Sequence, residues 1–409
     1  MTAPAVSVVV VSRGRPRALR LCLTALARLK YPAYEVIVVA DRAGLDAVRG
    51  LPFADRIVQR LCDAANISAA RNIGIAAAAG EVVAFIDDDA VAEPKWLHHL
   101  AAPFADPAVT ATGGFVRGRN GITFQARARV IDRGGWSRDA PLPDGRTPAT
   151  PTTGAGEVPR TEGTNMAVRH AVLTRIGGFD PAFRFYHDET DLNMRLASAG
   201  HRTVIVPLAQ VHHAAAPSAR RGGGRGLHSL YDVGASTAVF LRRHCPVEDH
   251  PQHFDRLRDE QRGRVLDRMI MGAIEPRDVT RLLRGLEDGI ADGLARPLDT
   301  PLPPLGNEGR GFAPFPSLAT GETAFLAGRP WDARRLRRQA AKMAQRGATV
   351  SLLLVTHTGL YHRVRFREPG YWEQTGGLFG RSDRDDPLFR PWTLSQRRDH
   401  EAQRVLDLR

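Results

Sequence analysis

Runs of apolar residues alternate with amphipathic stretches along the first 90 residues of the chain. Residues 6–11 contain five valines and one serine, a pattern typical of a strand that is buried on both faces. Between residues 17 and 29, leucines and one cysteine recur at helical spacing, and the next strand pattern covers residues 35–39. An alanine-rich helix is predicted over residues 66–80, followed by a strand over residues 82–86. This alternation predicts an α/β fold whose mainly parallel central sheet is covered by helices on both faces.

The rest of the chain divides by composition. Three helical patterns follow a glycine-rich basic stretch, and the next 20 residues carry six prolines with little periodicity. A tail with one basic helical pattern and one clear strand pattern comes last. We therefore predict four units: a domain over residues 1–215, a helical extension over 216–296, a proline-rich linker over 297–321 and a small extra domain of unknown role over 322–409.

Positive charge exceeds negative charge along the chain. It has 57 lysines and arginines against 44 acidic residues, which gives a net charge of +13. Most of these cations are arginines, whose planar guanidinium group suits phosphate oxygens, so the excess favours an anionic partner. A genome rich in arginine codons would produce the same excess, and both explanations stay open.

Cysteine usage and hydropathy indicate the cellular compartment. The three cysteines lie far apart and form neither a disulfide framework nor a zinc-binding spacing, which favours a reducing compartment. The first residues lack a signal-peptide pattern, and no run reaches the roughly 18 apolar residues of a membrane span. These features predict a cytoplasmic protein, with peripheral contact at the inner face of the membrane left open.

Three consecutive aspartates, Asp87, Asp88 and Asp89, follow the strand predicted at residues 82–86. Like charges about 4 Å apart repel by roughly 1 kcal/mol even in water, and by more beside a low-dielectric core. A divalent cation would relieve this repulsion, because Mg²⁺ takes carboxylate oxygens together with substrate phosphates. The alternative is a solvated turn in which Asp88 or Asp89 caps the next helix. The position after a buried strand favours the metal, since ligands bind outside the carboxyl ends of parallel strands.

A second acidic cluster, formed by Asp188, Glu189 and Asp191, opens a predicted helix. Carboxylates in the first turn of a helix stabilise it by about 0.3 to 1 kcal/mol each through the helix dipole. This account needs no catalytic role, and from the residues alone it is the simpler of the two.

Five segments, in this order, make the chain resemble the family 2 glycosyltransferases of GT-A fold over roughly residues 5–215. They are VSVVVVSRGRP, EVIVVAD, ARNIGIAAAAGEVVAFIDDD, GTNMAVRHAVLTRIGGFDPAF and DETDLNMRLASAGHRTVIVPLAQVHH. The resemblance implies a Rossmann-like GT-A domain that transfers a sugar, with inversion, from a nucleotide-diphosphate sugar to an acceptor hydroxyl. It also implies a Mg²⁺ or Mn²⁺ ion on the donor diphosphate. The implied acceptor is a sugar or a lipid-linked molecule in the synthesis of a glycan, polysaccharide or glycolipid.

The resemblance also assigns roles to residues. It implies that Asp89 and Asp87 hold the metal, with Asp87 nearer the ribose. His212 or His213 would assist them, and the resemblance favours His213. The residues that it places at the nucleotide-sugar site are Ser12, Arg15, Asp41, Arg71, Asp87, Asp88, Gly163, Asn165 and Arg221. Family members often carry an acidic pair where this chain has the single Asp41, which leaves the base of the nucleotide open.

For the second acidic cluster, the resemblance implies that one carboxylate accepts the proton of the attacking hydroxyl. By alignment Glu189 takes this position, but members usually have Glu-Asp where this chain has Asp-Glu, so Asp188 stays an alternative. Asp191 is expected to bind the acceptor or to support the helix. The basic loop with Arg221 either closes over the diphosphate or has no role, and Trp136 is a weak candidate for stacking on an acceptor sugar.

Two other function classes compete with this interpretation. A sugar nucleotidyltransferase would share the sheet and the metal carboxylates, but SRGRP does not supply its glycine-rich, lysine-containing phosphate loop. A non-catalytic protein that binds nucleic acid or an anionic membrane would use the +13 charge. No RNA- or DNA-recognition motif is evident, so no nucleic-acid partner is expected. Because no Q-x-x-R-W motif follows the acidic helix, transfer of a single sugar is favoured over processive synthesis.

Overall fold

The computed structural model describes residues 3–214, 229–299 and 301–409. The strands are β1 (Val6–Ser12), β2 (Tyr34–Ala40), β3 (Ile57–Leu61), β4 (Val82–Asp87), β5 (Ala90–Ala92), β6 (Val109–Arg117), β7 (Phe124–Ala126), β8 (Arg129–Ile131), β9 (Ser137–Asp139), β10 (Val158–Arg160), β11 (Met166–Arg169), β12 (Arg202–His213), β13 (Thr323–Gly328), β14 (Thr349–Thr356), β15 (Arg363–Arg367) and β16 (Tyr371–Gly377). The α-helices are α1 (Pro16–Leu26), α2 (Arg42–Arg49), α3 (Ile67–Ala77), α4 (Trp96–Ala101), α5 (His170–Arg175), α6 (Asp188–Ser198), α7 (Tyr231–His244), α8 (His250–Ile270), α9 (Pro276–Ala295), α10 (Ala333–Gln345) and α11 (Leu394–Val405).

The central sheet has the strand order β3-β2-β1-β4-β11-β6-β12-β5, and β7 pairs with β6 at its side. Strands β3, β2, β1 and β4 run parallel, and β6 and β12 are parallel to each other. The inserted β11 is antiparallel to both of its neighbours, as is β5 to β12. The predicted α/β architecture with a mainly parallel sheet is therefore confirmed. The carboxyl ends of β1, β2 and β4 meet at one edge, which is where ligands bind in such sheets.

Strand β1 shows how the sheet is buried on both faces. Val8 and Val10 point into a core with the buried faces of α1 and α4, whereas Val9 points into a second core with α3, α5 and α6. Helix α3 packs closely on the strand at Gly74, where an added Cβ would lie 2.4 Å from a methyl group of Val9. These two cores account for the continuous apolar run that predicts the strand.

Helices α7, α8 and α9 form an extension whose own core joins all three. On its other side, α7 places Val239 and Phe240 against Met194 of α6. The stretch between β8 and β10 contains the short strand β9, which pairs with β8 in a three-stranded sheet of order β10-β8-β9. The extension and this small sheet thus support the start of α6.

The proline-rich stretch predicted as a linker has no helix or strand among its described residues and lies extended along the first domain. Phe315 packs on Tyr34 and Phe53 in the core below α1, with ring centroids 5.6 and 5.7 Å apart. Arg310 pairs with the fully buried Glu35 at 2.6 Å. The segment is therefore anchored, and its boundaries as a separate unit stay a prediction.

The last unit is a small α/β layer. Its sheet has the order β13-β14-β16-β15, in which only β15 is antiparallel, and α10 packs on one face. It contacts the central sheet through Glu93, which accepts hydrogen bonds from Arg409 at 2.9 and 3.1 Å and lies 2.8 Å from His212 Nε2. Burial alone would raise the pKa of Glu93, but Arg409 and His212 lower it to about 2. Trp372 stacks beside the same histidine, at 4.6 Å between ring centroids.

Within the ranges that the structure describes, none of the helices has the combination of length and apolar character needed to cross a lipid bilayer.

Candidate active site

A cavity of about 510 Å³ opens at the carboxyl ends of β1, β2 and β4. Its lining includes six of the residues predicted for the nucleotide and metal site: Ser12, Arg15, Asp41, Asp87, Asp89 and His213. The opposite wall comes from the segment between β3 and α3, with Cys62, Ala64 and Asn66. Sequence reasoning missed this wall, although its position after the third parallel strand is a signal that it lies at the same edge of the sheet.

Asp87, Asp89 and His213 form a cluster at the floor of this cavity, with one possible ligand atom of each within 4.8 Å of the others. Strand β4 ends at Asp87, and the antiparallel pairing of β12 with β5 sets His213 opposite Ala90. As a result, His213 Nε2 lies 3.2 Å from Asp89 Oδ1. Two carboxylates and an imidazole are a donor set that suits Mg²⁺ or Mn²⁺, so these residues fit a divalent cation.

The two histidines at the end of β12 point to opposite faces, as neighbouring residues in a strand do. His213 faces the aspartates, whereas His212 is hydrogen-bonded to Glu93 beneath the small domain. Between the two candidates, the structure brings only His213 to the carboxylates.

Gln125 on β7 holds His213 from behind. Its Oε1 lies 3.0 Å from His213 Nδ1, an arrangement in which Nδ1 donates a proton and Nε2 keeps its lone pair toward the aspartates. Such outer partners fix the ring orientation of histidines that bind metals. Sequence reasoning missed Gln125, because a single glutamine on a three-residue strand forms no recognisable motif.

Asp88 points away from the cavity and is completely buried. It accepts a hydrogen bond from Ser12 Oγ at 2.6 Å and pairs with Arg15 Nη2, also at 2.6 Å. Burial raises the pKa of Asp88 to about 7, against the opposing effect of the Arg15 guanidinium. Asp88 thus fixes the loop after β1 through both of its oxygens, and the nucleotide contact expected of it stays a prediction.

Asp41 connects the loop after β1 to the first turn of α2. Its Oδ1 accepts from Gly44 N at 2.9 Å and thereby caps α2, while its Oδ2 accepts from Gly14 N at 2.8 Å. Gly14 has a φ of +69°, a conformation that side chains rarely adopt. Asp41 thus shapes this side of the cavity and also lines it.

Arg71 lies between the two acidic clusters. Its guanidinium is buried, donates to Asp188 Oδ2 and to the carbonyl of Gly163, and reaches Asp87 Oδ1 at 3.3 Å. It also lies over the ring of Phe179, 5.0 Å from the centroid. A single buried cation therefore couples the end of β4 to the start of α6.

The start of α6 follows two residues in the left-handed region, Tyr186 and His187, with φ of 73° and 64°. Consecutive non-glycine residues in this region are uncommon and cluster at functional sites. His187 is buried and stacks on Phe240 of the extension, at 5.0 Å between centroids. The extension therefore sets the direction in which α6 presents its first turn.

The three carboxylates of this turn have different surroundings. Asp188 is buried and paired with Arg71, and burial raises its pKa against the effect of that arginine. Asp191 is fully buried and is held by Arg195 Nε at 2.8 Å and His244 Nε2 at 2.9 Å. Glu189 has 14% of its side chain exposed and meets Arg160 only at 3.4 Å. Two roles are expected for Asp191, binding the acceptor or supporting the helix. The contacts of both carboxylate oxygens with Arg195 and His244 favour the second role.

Glu162 is a further acidic residue beside this turn that sequence reasoning left without a role. Its Oε1 lies 3.6 Å from Arg160 Nε and 3.9 Å from Arg129 Nη1. Burial raises the pKa of Glu162, Arg160 opposes this shift, and the neighbouring Glu189 adds to it. The two glutamates therefore share one arginine.

Asn165 and Gly163 were expected at the donor sugar. Asn165 is fully buried: its amide donates to the carbonyls of Phe115 and Ala209 at 2.9 and 2.8 Å, and its Oδ1 accepts from Trp96 at 2.7 Å. These hydrogen bonds give Asn165 a supporting role between the strands, and its contact with the donor sugar stays a prediction. Gly163 lies directly against Arg71: a Cβ at this position would lie 2.6 Å from Arg71 Nη2, which leaves no room for a side chain.

Two weaker predictions concern Trp136 and Arg221. The Trp136 indole donates to His253 at 3.0 Å, and Arg256 lies 3.9 Å above its ring, so α8 covers the face expected to stack on an acceptor sugar. Arg221 lies outside the described residues.

Residues 4–221 match the family model described as "Glycosyltransferase like family 2". Among curated proteins, the pre-mycofactocin glycosyltransferase of Mycobacterium tuberculosis (strain H37Rv) is 30% identical over 221 residues, which cover 51% of this chain and 42% of that protein. The N-acetylglucosaminyl-diphospho-decaprenol L-rhamnosyltransferase of the same strain is 35% identical over 79 residues, covering 19% of this chain and 25% of that protein. The matched part is less than half the length of either relative.

Among solved structures, the mannosyltransferase PcManGT from Pyrobaculum calidifontis in complex with GDP-Man and Mn²⁺ is similar with 18% identity and a TM-score of 0.43. The similarity covers 72% of this chain and 88% of that chain. A fragment of S. aureus TarS is also 18% identical with a TM-score of 0.43, over 71% of this chain and 89% of that chain.

Proposed function

The chain belongs to the glycosyltransferase-like family 2, and from this premise we propose that it transfers a sugar, with inversion, from a nucleotide-diphosphate sugar to an acceptor hydroxyl. The observation that carries the proposal is the convergence of Asp87, Asp89 and His213 on the floor of a cavity of about 510 Å³. Arg71 connects this cluster to the acidic start of α6. One site thereby offers a place for a diphosphate and, next to it, carboxylates able to accept a proton.

The donor would occupy the cavity between the loop after β1 and the start of α3. Asp87, Asp89 and His213 would hold Mg²⁺ or Mn²⁺, which when bound would neutralise charge on the diphosphate leaving group. Arg15 pairs with Asp88 and Asp89, so its position at the cavity wall is fixed before any donor arrives. A preorganised wall of this kind lowers the entropic cost of orienting the substrate.

Glu189 is the better candidate for the catalytic base. Asp188 is buried against the Arg71 guanidinium, and Asp191 is paired with Arg195 and His244, whereas Glu189 keeps part of its side chain exposed. In the proposed step, the acceptor oxygen bonds to the anomeric carbon as the bond from that carbon to the diphosphate oxygen breaks. The hydroxyl proton moves to Glu189, and the nucleoside diphosphate leaves.

A second cavity, of about 600 Å³, suggests where the acceptor binds. Gln125 lines it and also contacts His213, and Arg129 lines it and lies near Glu162, so this cavity adjoins the proposed reaction centre. Its apolar walls include Phe115 and Phe124. One relative is named for an acceptor with a diphospho-decaprenol group, and a lipid-linked acceptor is accordingly proposed for this chain as well.

The test is a panel of nucleotide sugars incubated with Mn²⁺ or Mg²⁺, with release of free nucleoside diphosphate as the readout. We expect at least one donor to be hydrolysed or transferred, and we expect Asp89→Ala to abolish the metal-dependent part. Release of pyrophosphate in place of nucleoside diphosphate would instead identify a sugar nucleotidyltransferase. Failure of every donor, with and without lipid-linked acceptors, would refute the proposal.

A further inference from the structure

One end of the small domain exposes five large apolar side chains, which we call the apolar end. They are Trp331, Leu360, Tyr361, Leu388 and Phe389, with 82%, 62%, 62%, 68% and 60% of their surface exposed. Soluble proteins rarely expose contiguous apolar patches of this kind without an interaction that uses them.

These side chains share one end because of the sheet topology. Strands β13, β14 and β16 are parallel, so the segments that follow them leave the sheet at the same edge. Trp331 follows β13, and Leu360 and Tyr361 follow β14. Phe379 follows β16, and its ring lies 5.1 Å from that of Phe389, which brings the last two members of the apolar end to the same place.

Positive charge surrounds the apolar end. The first turns of α10, directly after Trp331, carry the exposed Arg334, Arg335 and Arg338, and further exposed arginines stand at positions 363 and 390. Residues 322–409 contain 17 lysines and arginines against 10 acidic residues. The surface is therefore both apolar and cationic.

A cavity of about 520 Å³ opens at the same end, between α10 and the carboxyl ends of the strands. Leu354, Leu360 and Tyr361 form its apolar wall, and Arg337 and Arg363 lie at its polar side. An apolar recess with arginines beside it matches the two parts of a phospholipid, an acyl chain and an anionic headgroup.

We infer that the apolar end docks onto an anionic lipid surface. Tryptophan and tyrosine are favoured at the boundary between hydrocarbon and water, and arginines around them are attracted to the negative surface of such a membrane. A protein partner without negative charge would not use the arginines. The inference does not depend on sugar transfer, because it rests on the small domain alone.

Docking at this end would also bring the membrane near the proposed acceptor cavity. Arg384 and Asp385 line that cavity of about 600 Å³, and Leu388 and Phe389 follow a few residues later in the same segment. A lipid-linked acceptor could then reach the reaction centre without leaving the bilayer. This consequence, unlike the docking itself, rests on the proposed function.

The test is co-sedimentation of the full chain with vesicles of phosphatidylcholine, alone or mixed equally with phosphatidylglycerol. We expect binding to the mixed vesicles only. Replacing Trp331, Leu360 and Tyr361 together by serine should weaken it by about tenfold or more, because each would otherwise bury an apolar side chain. A matched control replaces Val247, Ile270 and Met271 by serine, since these are 75%, 79% and 70% exposed but lie on the helical extension. The control should bind like the wild type.

A charge variant, Arg334→Glu with Arg338→Glu, provides an independent arm. It keeps the apolar residues and should lose affinity for the mixed vesicles by about tenfold or more, as juxtamembrane arginines contribute electrostatically. Donor hydrolysis in solution should stay unchanged in all these variants, which separates failure of docking from failure of the proposed function. Absence of wild-type binding to the mixed vesicles, or equal loss in the control, overturns the inference. The inference is also overturned if the wild type is a dimer that does not bind vesicles and the variant of Trp331, Leu360 and Tyr361 is a monomer by light scattering. The apolar end would then bind a second copy of the chain.

Discussion

The two acidic clusters of the site resemble each other in sequence, but their carboxylates differ in burial and in the groups that they contact. At the end of β4, the middle residue Asp88 is buried against Arg15, and its two neighbours converge with His213 on the cavity. At the start of α6, Asp188 and Asp191 are paired with arginines, and only Glu189 stays partly exposed. Arginines also contact the metal candidates, since Arg15 pairs with Asp89 and Arg71 with Asp87. What distinguishes Asp87 and Asp89 from Asp88 is that they line the cavity.

The physical reason is the cost of burying charge. A carboxylate removed from water must find a cation or several hydrogen bonds, and its lone pairs are then no longer available to a substrate proton or a metal. Arg71 serves both clusters, since it contacts Asp188 and Asp87. The comparison therefore predicts catalytic loss from some carboxylates and structural loss from others.

The largest expected effect is on catalysis, from Glu189→Gln. The amide cannot accept the hydroxyl proton, so transfer should fall by about 100-fold or more, with donor affinity unchanged. Steady-state transfer and donor binding by calorimetry check this. Full activity in the variant would move the role of base to Asp188 and break the comparison.

Asp191→Asn should have the opposite signature. It removes the buried anion that Arg195 and His244 contact, and the free energy of unfolding should fall by about 3 kcal/mol. Chemical denaturation measures this, with Glu189→Gln as the matched control on the same helical turn. If the two variants lose equal stability, burial does not distinguish their roles.

A smaller effect concerns pH and His187, the residue that precedes α6. Burial, together with Arg160 and His244, lowers the pKa of His187 to about 3, while Asp191 opposes this shift. His187 therefore binds a proton near pH 6.5 in the unfolded chain, but only near pH 3 in the folded chain. Its contribution to the free energy of unfolding is lost as the pH falls from 6.5 toward 3. Between pH 7 and 5 the contribution of His187 to this loss should be about 2 kcal/mol.

His187→Asn tests that effect, because asparagine tolerates the left-handed conformation and does not titrate. Its stability should be lower at pH 7 but should change less on acidification than that of the wild type. An unchanged pH dependence in the variant would show that other groups cause the acid sensitivity.

The smallest effect is expected from Gln125→Leu. Without the acceptor on Nδ1, the His213 ring loses its orientation, and Mn²⁺ affinity should fall by about tenfold. Gln125→Glu keeps an acceptor and serves as the control that should bind at least as well as the wild type. Equal Mn²⁺ affinity of the wild type and both variants would show that Gln125 does not orient His213 for metal binding.

Sequence patterns predicted the parts of the site that lie at regular positions. The buried run of β1, the end of β4 at Asp87 and the helix at Asp188 follow from apolar periodicity and from the charges that interrupt it. The partners of Asp88 and Asn165 could not be predicted, because only the folded chain shows which way a polar side chain points and which groups it contacts.

Other features carry no local signal at all. Gln125 gains its role from a strand pairing that sets β7 beside β6 near His213. Strands β15 and β16 are rich in charged and aromatic residues, and the pairing of β16 with β14 is a long-range property that periodicity does not express. Contacts that join distant segments were therefore beyond prediction from local patterns.

The central claim is that Asp87, Asp89 and His213 hold a divalent cation at the donor diphosphate. Its most direct test is an electron paramagnetic resonance titration of Mn²⁺ with the wild type, with Asp89→Ala and with the exposed control Asp139→Ala, each with and without nucleoside diphosphate. We expect one site in the wild type and the control, tightened by the nucleotide, and at least a ~100-fold weaker site in Asp89→Ala. Equal Mn²⁺ binding by Asp89→Ala and the wild type would contradict the account.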